Sequence, residues 1–247
     1  MKKHLLFLSF LIAISLQSFA QKQTYVFVHG AWGGGWEYKQ VDSLLTAQGH
    51  KVYRPTMTGL GERVHLANPD INLSTHITDI VNVILFEDLH NITLVGHSYG
   101  GMVISGVAER VPERIGKLIY VDAFVPNDGE SLFTARGEKD SWAIIKPHVK
   151  DGMIEYFFGP TKPTPPTDVP QSLKTNTETL FIKNPAVKKI PTSYVLMTQN
   201  QDIEKAGFAP FAKRAKQRRW QLLTLEGDHY PMRNQTENFI VTLSKCK

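Results

Sequence analysis

Apolar residues along this chain fall into two kinds of run. Tyr25-Val26-Phe27-Val28, Ile92-Thr93-Leu94-Val95, Leu118-Ile119-Tyr120-Val121, Tyr194-Val195-Leu196-Met197 and Leu222-Leu223-Thr224-Leu225 are short and nearly unbroken. Strands covered on both faces carry this pattern, because neither face has to meet water. Lys51-Val52-Tyr53-Arg54-Pro55 predicts one more strand, closed by its proline. Between these runs the spacing turns helical. Ile77, Ile80, Val81, Ile84 and Leu85 predict a helix over 75–89, capped by Ser74. Residues 37–48 are amphipathic and stop at Gly49, and residues 102–108, 206–216 and 234–244 predict further helices. Strand and helix alternate, which implies a mostly parallel α/β sheet with helices on both faces. Sites on such sheets lie at the carboxyl ends of the strands. From about 127 to 189 the alternation breaks. Trp142, Tyr156, Phe157 and Phe158 precede a proline-rich run there. The aromatics predict an inserted cap of short helices over the site rather than a second domain.

The first twenty residues have a different pattern. Lys2 and Lys3 precede an apolar run over 5–16, and Ser18-Phe19-Ala20 places small residues where a signal peptidase reads. This predicts a signal peptide over 1–20, cleaved after Ala20, and a periplasmic or secreted protein. The run is short for a membrane span, so no anchor is expected after cleavage. Residues 21–247 then form a single domain. Losing two lysines lowers the formal net charge from +5 to +3. That is too mild to argue for nucleic acid as a partner. The only cysteine is Cys246, so no disulfide within the chain is possible and the core must hold the fold.

The strand at Ile92 runs into Gly96-His97-Ser98-Tyr99-Gly100, the G-x-S-x-G pattern. It places a serine on a sharp strand-to-helix turn, with a helix N-terminus behind it to favour negative charge. A serine hydroxyl needs a base, and the base needs a third group to fix its tautomer. His229 lies in the Gly-Asp-His turn after the last strand, and the order serine first, histidine last fits this arrangement. His97, next to Ser98, is expected to point away as a structural residue. His29, in the glycine-rich loop His29-Gly30-Ala31-Trp32-Gly33-Gly34-Gly35-Trp36, is expected to brace that loop. Asp122 and Asp202 each follow a strand and are the candidate acids. Asp228 is too close in sequence to His229 to orient it.

The chain resembles the cofactor-free group of α/β-hydrolases that includes plant methyl esterases, hydroxynitrile lyases and bacterial EstC- and pyrethroid-hydrolase-type esterases. The resemblance runs from about Tyr25 to the last helix. It rests on the glycine-rich loop with Val28 before it, on Thr58-Gly59-Leu60-Gly61-Glu62-Arg63, on the Ser98 motif, on Tyr120-Val121-Asp122-Ala123-Phe124-Val125-Pro126 and on Gly227-Asp228-His229. It implies Ser98 as nucleophile, His229 as base and an oxyanion hole from the N–H groups of Ala31 and Tyr99. It implies neither a cofactor nor a metal. Relatives that draw the acid from the later strand place it where Asn200 and Gln201 stand here, one or two residues before Asp202. The esterase branch can use the Asp122 position instead, and Asp122 is favoured, with Asp202 the alternative.

The resemblance and the residues together predict a carboxylic-ester hydrolase acting through an acyl-enzyme on a small to medium hydrophobic ester. Two other readings remain. One is a receptor-like protein that binds a ligand and turns over slowly. The other is a hydroxynitrile-lyase-type C–C lyase. The lyase reading is weakened because Gly30 stands where those enzymes characteristically carry threonine, and Tyr230 where they carry lysine. Members of the fold that use an aspartate nucleophile are disfavoured by Ser98.

Overall fold

The structure, a computed structural model, describes residues 22–199 and 201–247. The expected signal peptide lies outside the described residues. Strands β1 (Thr24–Val28), β2 (Lys51–Tyr53), β3 (Ile92–His97) and β4 (Ile115–Val121) precede an insertion carrying β5 (Val149–Lys150), β6 (Met153–Ile154) and β7 (Gln171–Ser172). Strands β8 (Thr192–Met197) and β9 (Gln221–Leu225) come after it. The helices are α1 (Lys39–Ala47), α2 (Leu73–Phe86), α3 (Gly100–Arg110), α4 (Leu132–Arg136), α5 (Glu138–Ile145), α6 (Lys174–Thr177), α7 (Ala209–Gln217), α8 (Pro231–Asn234) and α9 (Thr236–Ser244).

The main sheet has the order β2-β1-β3-β4-β8-β9 and every pair in it is parallel. Alternation along each strand sorts its side chains onto two faces. Val26, Val28, Leu94, Tyr120 and Leu196 pack with residues of α2, α3 and α7, among them Ile77, Val103 and Phe211. Tyr25, Phe27, Val95, Ile119 and Val195 pack with Val41 and Leu45 of α1 and Phe239 and Leu243 of α9. The apolar runs are unbroken because both faces are covered. Burying each such side chain contributes about 1.5–3 kcal/mol, and this core stands in for the missing disulfide.

Two expectations need correction. Ser74 is not the cap of α2. The helix begins at Leu73, and Asn72 caps it, accepting from the Thr75 N–H at 2.9 Å while the Thr75 hydroxyl accepts in return from the Asn72 N–H. Ser74 turns its N–H and its hydroxyl to the Glu178 carboxylate, both at 2.7 Å, and so ties α2 to the insertion. The insertion itself is not helical alone. With α4, α5 and α6 it carries a three-stranded antiparallel sheet in which β6 pairs with both β5 and β7. Among the described residues no helix is long and apolar enough to cross a membrane.

Candidate active site

Ser98 sits at φ +52, in the left-handed region. A non-glycine residue stays there only when its surroundings hold it. The Ser98 N–H donates to Val121 O at 3.2 Å, and its carbonyl accepts from the N–H groups of Gly101 and Phe124 at 3.0 and 3.1 Å. The flanking glycines let the segments close on one another. A Cβ on Gly96 would lie 2.7 Å from Gly100 O, and one on Gly100 would lie 2.6 Å from Val28 O. Tyr99, wholly buried, donates its hydroxyl to His76 Nδ1 at 2.9 Å, since His76 Nε2 is occupied in donating to Thr58 O. Burial pushes the Tyr99 hydroxyl well above its ordinary pKa.

Asp122 follows β4 at φ +43 and is buried. One carboxylate oxygen accepts from the Met197 N–H at 3.1 Å. The other lies 2.6 Å from His229 Nδ1. With Nδ1 donating to a carboxylate, the lone pair of His229 stands on Nε2. The ring of His229 stacks on Phe208 at 4.9 Å and 11°. Asp228 caps the turn that carries it, accepting from the Tyr230 N–H at 2.8 Å and from Asn234 at 2.6 Å. Asp202 lies elsewhere: it is exposed and pairs with Lys205 at 3.1 Å.

The two other histidines differ from one another. His29 is buried, donates from Nδ1 to Gly30 O at 2.8 Å and accepts from the Met57 N–H on Nε2 at 3.1 Å. Burial lowers its pKa to about 3, so it is a neutral brace. Because the peptide is planar and trans, fixing Gly30 O turns the Ala31 N–H away from the His29 ring. His97 does not point away from the site as expected. It lines the same cavity as Ser98, donates from Nε2 to the His229 carbonyl at 2.7 Å and packs its ring 4.4 Å from that of His229. Burial first, and the neighbouring His229 second, hold its pKa well below the ordinary value. It therefore supports the His229 turn from beneath.

Ser98, His229, Ala31 and Tyr99 all border one cavity of about 330 Å³. Its wall is largely aromatic and aliphatic, with Phe124, Leu132, Ile145, Phe208 and Phe211 among the lining residues. The insertion supplies Phe157 and Phe158, whose rings meet Trp32 edge-on at 5.4 and 5.6 Å. Trp32, at φ +61, is held by the insertion at three points. Its N–H donates to Gln171 at 3.0 Å, its indole to Ile154 O at 2.9 Å, and its carbonyl accepts from Val169 at 2.9 Å. A buried Glu37 and a cation, Arg233, stand behind Tyr230, and neither stands out in the sequence. A cation is thus present near Tyr230, but Glu37 and Asp168 both pair with it. Among the described residues no three His, Cys, Asp or Glu side chains are grouped as a metal ion needs.

An arrangement of this kind can pass a proton from a serine to an imidazole held by a carboxylate. Known proteins place it in a family. The profile of the "Alpha/beta hydrolase family" matches residues 25–240. The chain is 52% identical over 108 residues to the carbendazim hydrolyzing esterase of Nocardioides sp. (strain SG-4G), covering 44% of this chain and 45% of that one. It is 34% identical over 130 residues to the pyrethroid hydrolase of Sphingobium wenxiniae, covering 51% and 44%. It is 30% identical over 160 residues to methylesterase 1 of Arabidopsis thaliana, covering 57% of each. The chain spans about half the length of the curated relatives it matches. Among solved structures, an extracellular alpha/beta-hydrolase from a Paenibacillus species, described as sharing structural and functional homology with tobacco salicylic acid binding protein 2, superposes with a TM-score of 0.74 at 24% identity. That match covers 91% of this chain and 98% of the other. A pyrethroid hydrolase from Sphingobium faniae JZ-2 superposes at 0.70 and 20%, covering 90% and 96%. At such identities the structural likeness speaks for the fold alone. With a profile match running almost the length of the parallel sheet and its helices, this chain belongs to the alpha/beta hydrolase family.

Proposed function

We propose that this chain is an exported serine carboxylic-ester hydrolase that works through an acyl-enzyme. The observation that carries the reading is a serine on a left-handed turn sharing one cavity with a histidine whose Nδ1 is held 2.6 Å from a buried carboxylate. In this reading Asp122 keeps the Nδ1 proton of His229 in place, and Nε2 takes the proton of Ser98 as its Oγ attacks the ester carbonyl. The C–O double bond becomes an oxyanion, received by the N–H groups of Ala31 and Tyr99. Each such donor lowers the barrier by about 2.7–4 kcal/mol. The intermediate collapses, His229 returns its proton to the departing alkoxide, and Ser98 is left acylated. Water, deprotonated by the same Nε2, then releases the acid. Asp202 has no part in this, exposed as it is beside Lys205.

The apolar wall and the aromatic rings over Trp32 favour a small to medium hydrophobic ester. The relatives' names, an esterase, a methylesterase and a pyrethroid hydrolase, support ester hydrolysis as the reaction class. Export rests on the first twenty residues, and it predicts a mature chain beginning at Gln21.

The test is steady-state hydrolysis of p-nitrophenyl acetate and butyrate by wild type and Ser98→Ala. Wild type is expected to turn over continuously, and the variant to lose about 10⁶-fold in kcat. A burst without steady turnover would favour the slow, receptor-like reading. An unimpaired Ser98→Ala would remove the serine from the mechanism.

A further inference from the structure

Around Glu37 the fold does something costly. Glu37 is 5% exposed and belongs to the short 3-10 turn Gly35–Tyr38 that follows the glycine-rich loop. Its carboxylate lies on that loop: a Cβ on Gly33 would come within 2.7 Å of its Cδ and Oε1. Arg233, on α8 and four residues after His229, donates from Nη2 to Glu37 Oε1 and, at 3.0 Å, to Asp168 of the insertion. Its guanidinium also lies 4.5 Å from the ring centres of both Trp36 and Tyr230. Among the described residues, five buried side-chain N or O atoms have no partner; four of them, Glu37 Oε2, Arg233 Nε, Trp36 Nε1 and Tyr38 OH, belong to this one cluster, and the fifth is His97 Nδ1. Well-packed apolar side chains would commonly serve stability as well as a buried ion pair or better. What the cluster supplies instead is geometry. It joins three pieces of chain that converge on the cavity: the loop bearing Ala31, the turn bearing His229, and the insertion. Asp168 immediately precedes Val169, whose N–H holds the carbonyl of Trp32.

We infer that Arg233 is a positioning residue for hydrolysis, which through Glu37, Asp168 and the rings of Trp36 and Tyr230 fixes the Ala31 loop and the His229 turn relative to one another. The inference rests on the ester-hydrolase reading above. Misplacement of a reacting group by about 1 Å can cost about 100-fold in rate without any contact to substrate being lost.

The experiment compares Arg233→Met, Arg233→Lys and the double variant Glu37→Gln/Arg233→Met on p-nitrophenyl butyrate, with thermal midpoints taken on each. Arg233→Met is expected to lose about 100-fold in kcat while KM stays within about threefold. Arg233→Lys keeps a cation for the two carboxylates but loses the planar guanidinium that stacks on Trp36 and Tyr230, so it is expected to recover only part of that loss, about threefold or more. The double variant removes the more deeply buried of the two orphaned carboxylates and leaves Asp168, so it is expected to recover most of any midpoint lost in Arg233→Met and to remain slow. It also keeps the test alive should Arg233→Met not fold. Three results would overturn the inference: kcat within about twofold of wild type in either folded Met variant, a loss confined to KM, or no recovery with lysine. Ser98→Ala, run beside them, separates the two levels. If it is inactive while Arg233→Met is unimpaired, only the positioning role fails. If it is active, the serine mechanism fails.

Discussion

The side chain of Asp122 faces two donors at once, the Met197 N–H and the Nδ1–H of His229. A carboxylate accepts from both; an amide cannot. In Asp122→Asn the amide oxygen facing Met197 would leave the NH₂ against Nδ1. The ring would then carry its proton on Nε2, where the base is needed. The expected result is a fall in kcat on the order of 10⁴-fold, as for the same change in other triads. Asp202→Asn is expected to stay within about twofold on the same p-nitrophenyl ester. A slow Asp202→Asn beside an active Asp122→Asn would reverse the assignment of the acid. The meeting of Ser98 and His229 at one cavity is legible in the sequence because each sits in a short local motif at a strand end, where topology alone brings loops together. The partners of His97 and Arg233 are not. His97 meets the His229 carbonyl across 132 residues, Arg233 meets Glu37 across 196 and Asp168 across 65. A glutamate beside glycines reads as a solvated residue until the packing over it is known.

The elements of the main sheet are readable because burial on both faces leaves unbroken apolar runs, and all six predicted strands appear. The small sheet of the insertion is not. Its strands are two residues each, too short to show a period, and β6 finds β7 only after the intervening proline-rich stretch. The cap of α2 is ambiguous in sequence because Asn72 and Ser74 are both good capping types, and only the contact with Glu178 shows which is free to cap. At the turn between β3 and α3 two effects compete when Gly100 becomes alanine. Alanine is favoured over glycine inside a helix by about 1 kcal/mol. Against that, the new methyl would lie 2.6 Å from Val28 O, at the end of β1, and 2.9 Å from His29 O, at the start of the glycine-rich loop, both of them backbone atoms. Overpacking of this kind costs about 1–3 kcal/mol, and at these distances sterics wins. Gly100→Ala is therefore expected to lower the urea midpoint, with no change in the slope of the transition. A midpoint at or above that of wild type would mean that β1 and α3 are not pressed together as described.

For the whole molecule, stability rests on the packed core, and the pH dependence of stability rests on what that core buries. Cys246 is buried, with its thiol pushed up to about 11 by burial, so oxidation has little thiolate to act on. His29 is lowered to about 3, His76 to about 4 and His97 well below 6.5, in each case chiefly by burial. In the unfolded chain these rings bind protons near pH 6.5; in the folded chain they do so only under much stronger acid. Below about pH 6.5 the unfolded state therefore holds more protons at these three sites, and acid draws the equilibrium toward it. Glu37 works the other way. Burial, only partly offset by Arg233, raises its carboxyl to about 7 from 4.5, so between those values the folded chain holds the extra proton and acid favours folding at this one site. Three sites against one decide the sign. The thermal midpoint is expected to fall as pH is lowered from about 6.5 to about 4, and the fall should be steeper in Glu37→Gln, which lacks the opposing proton. Scanning calorimetry of both proteins across that range checks it. A flat profile in wild type would mean that the imidazoles are not buried neutral, and parallel profiles in the two proteins would mean that Glu37 is ionised at every pH scanned.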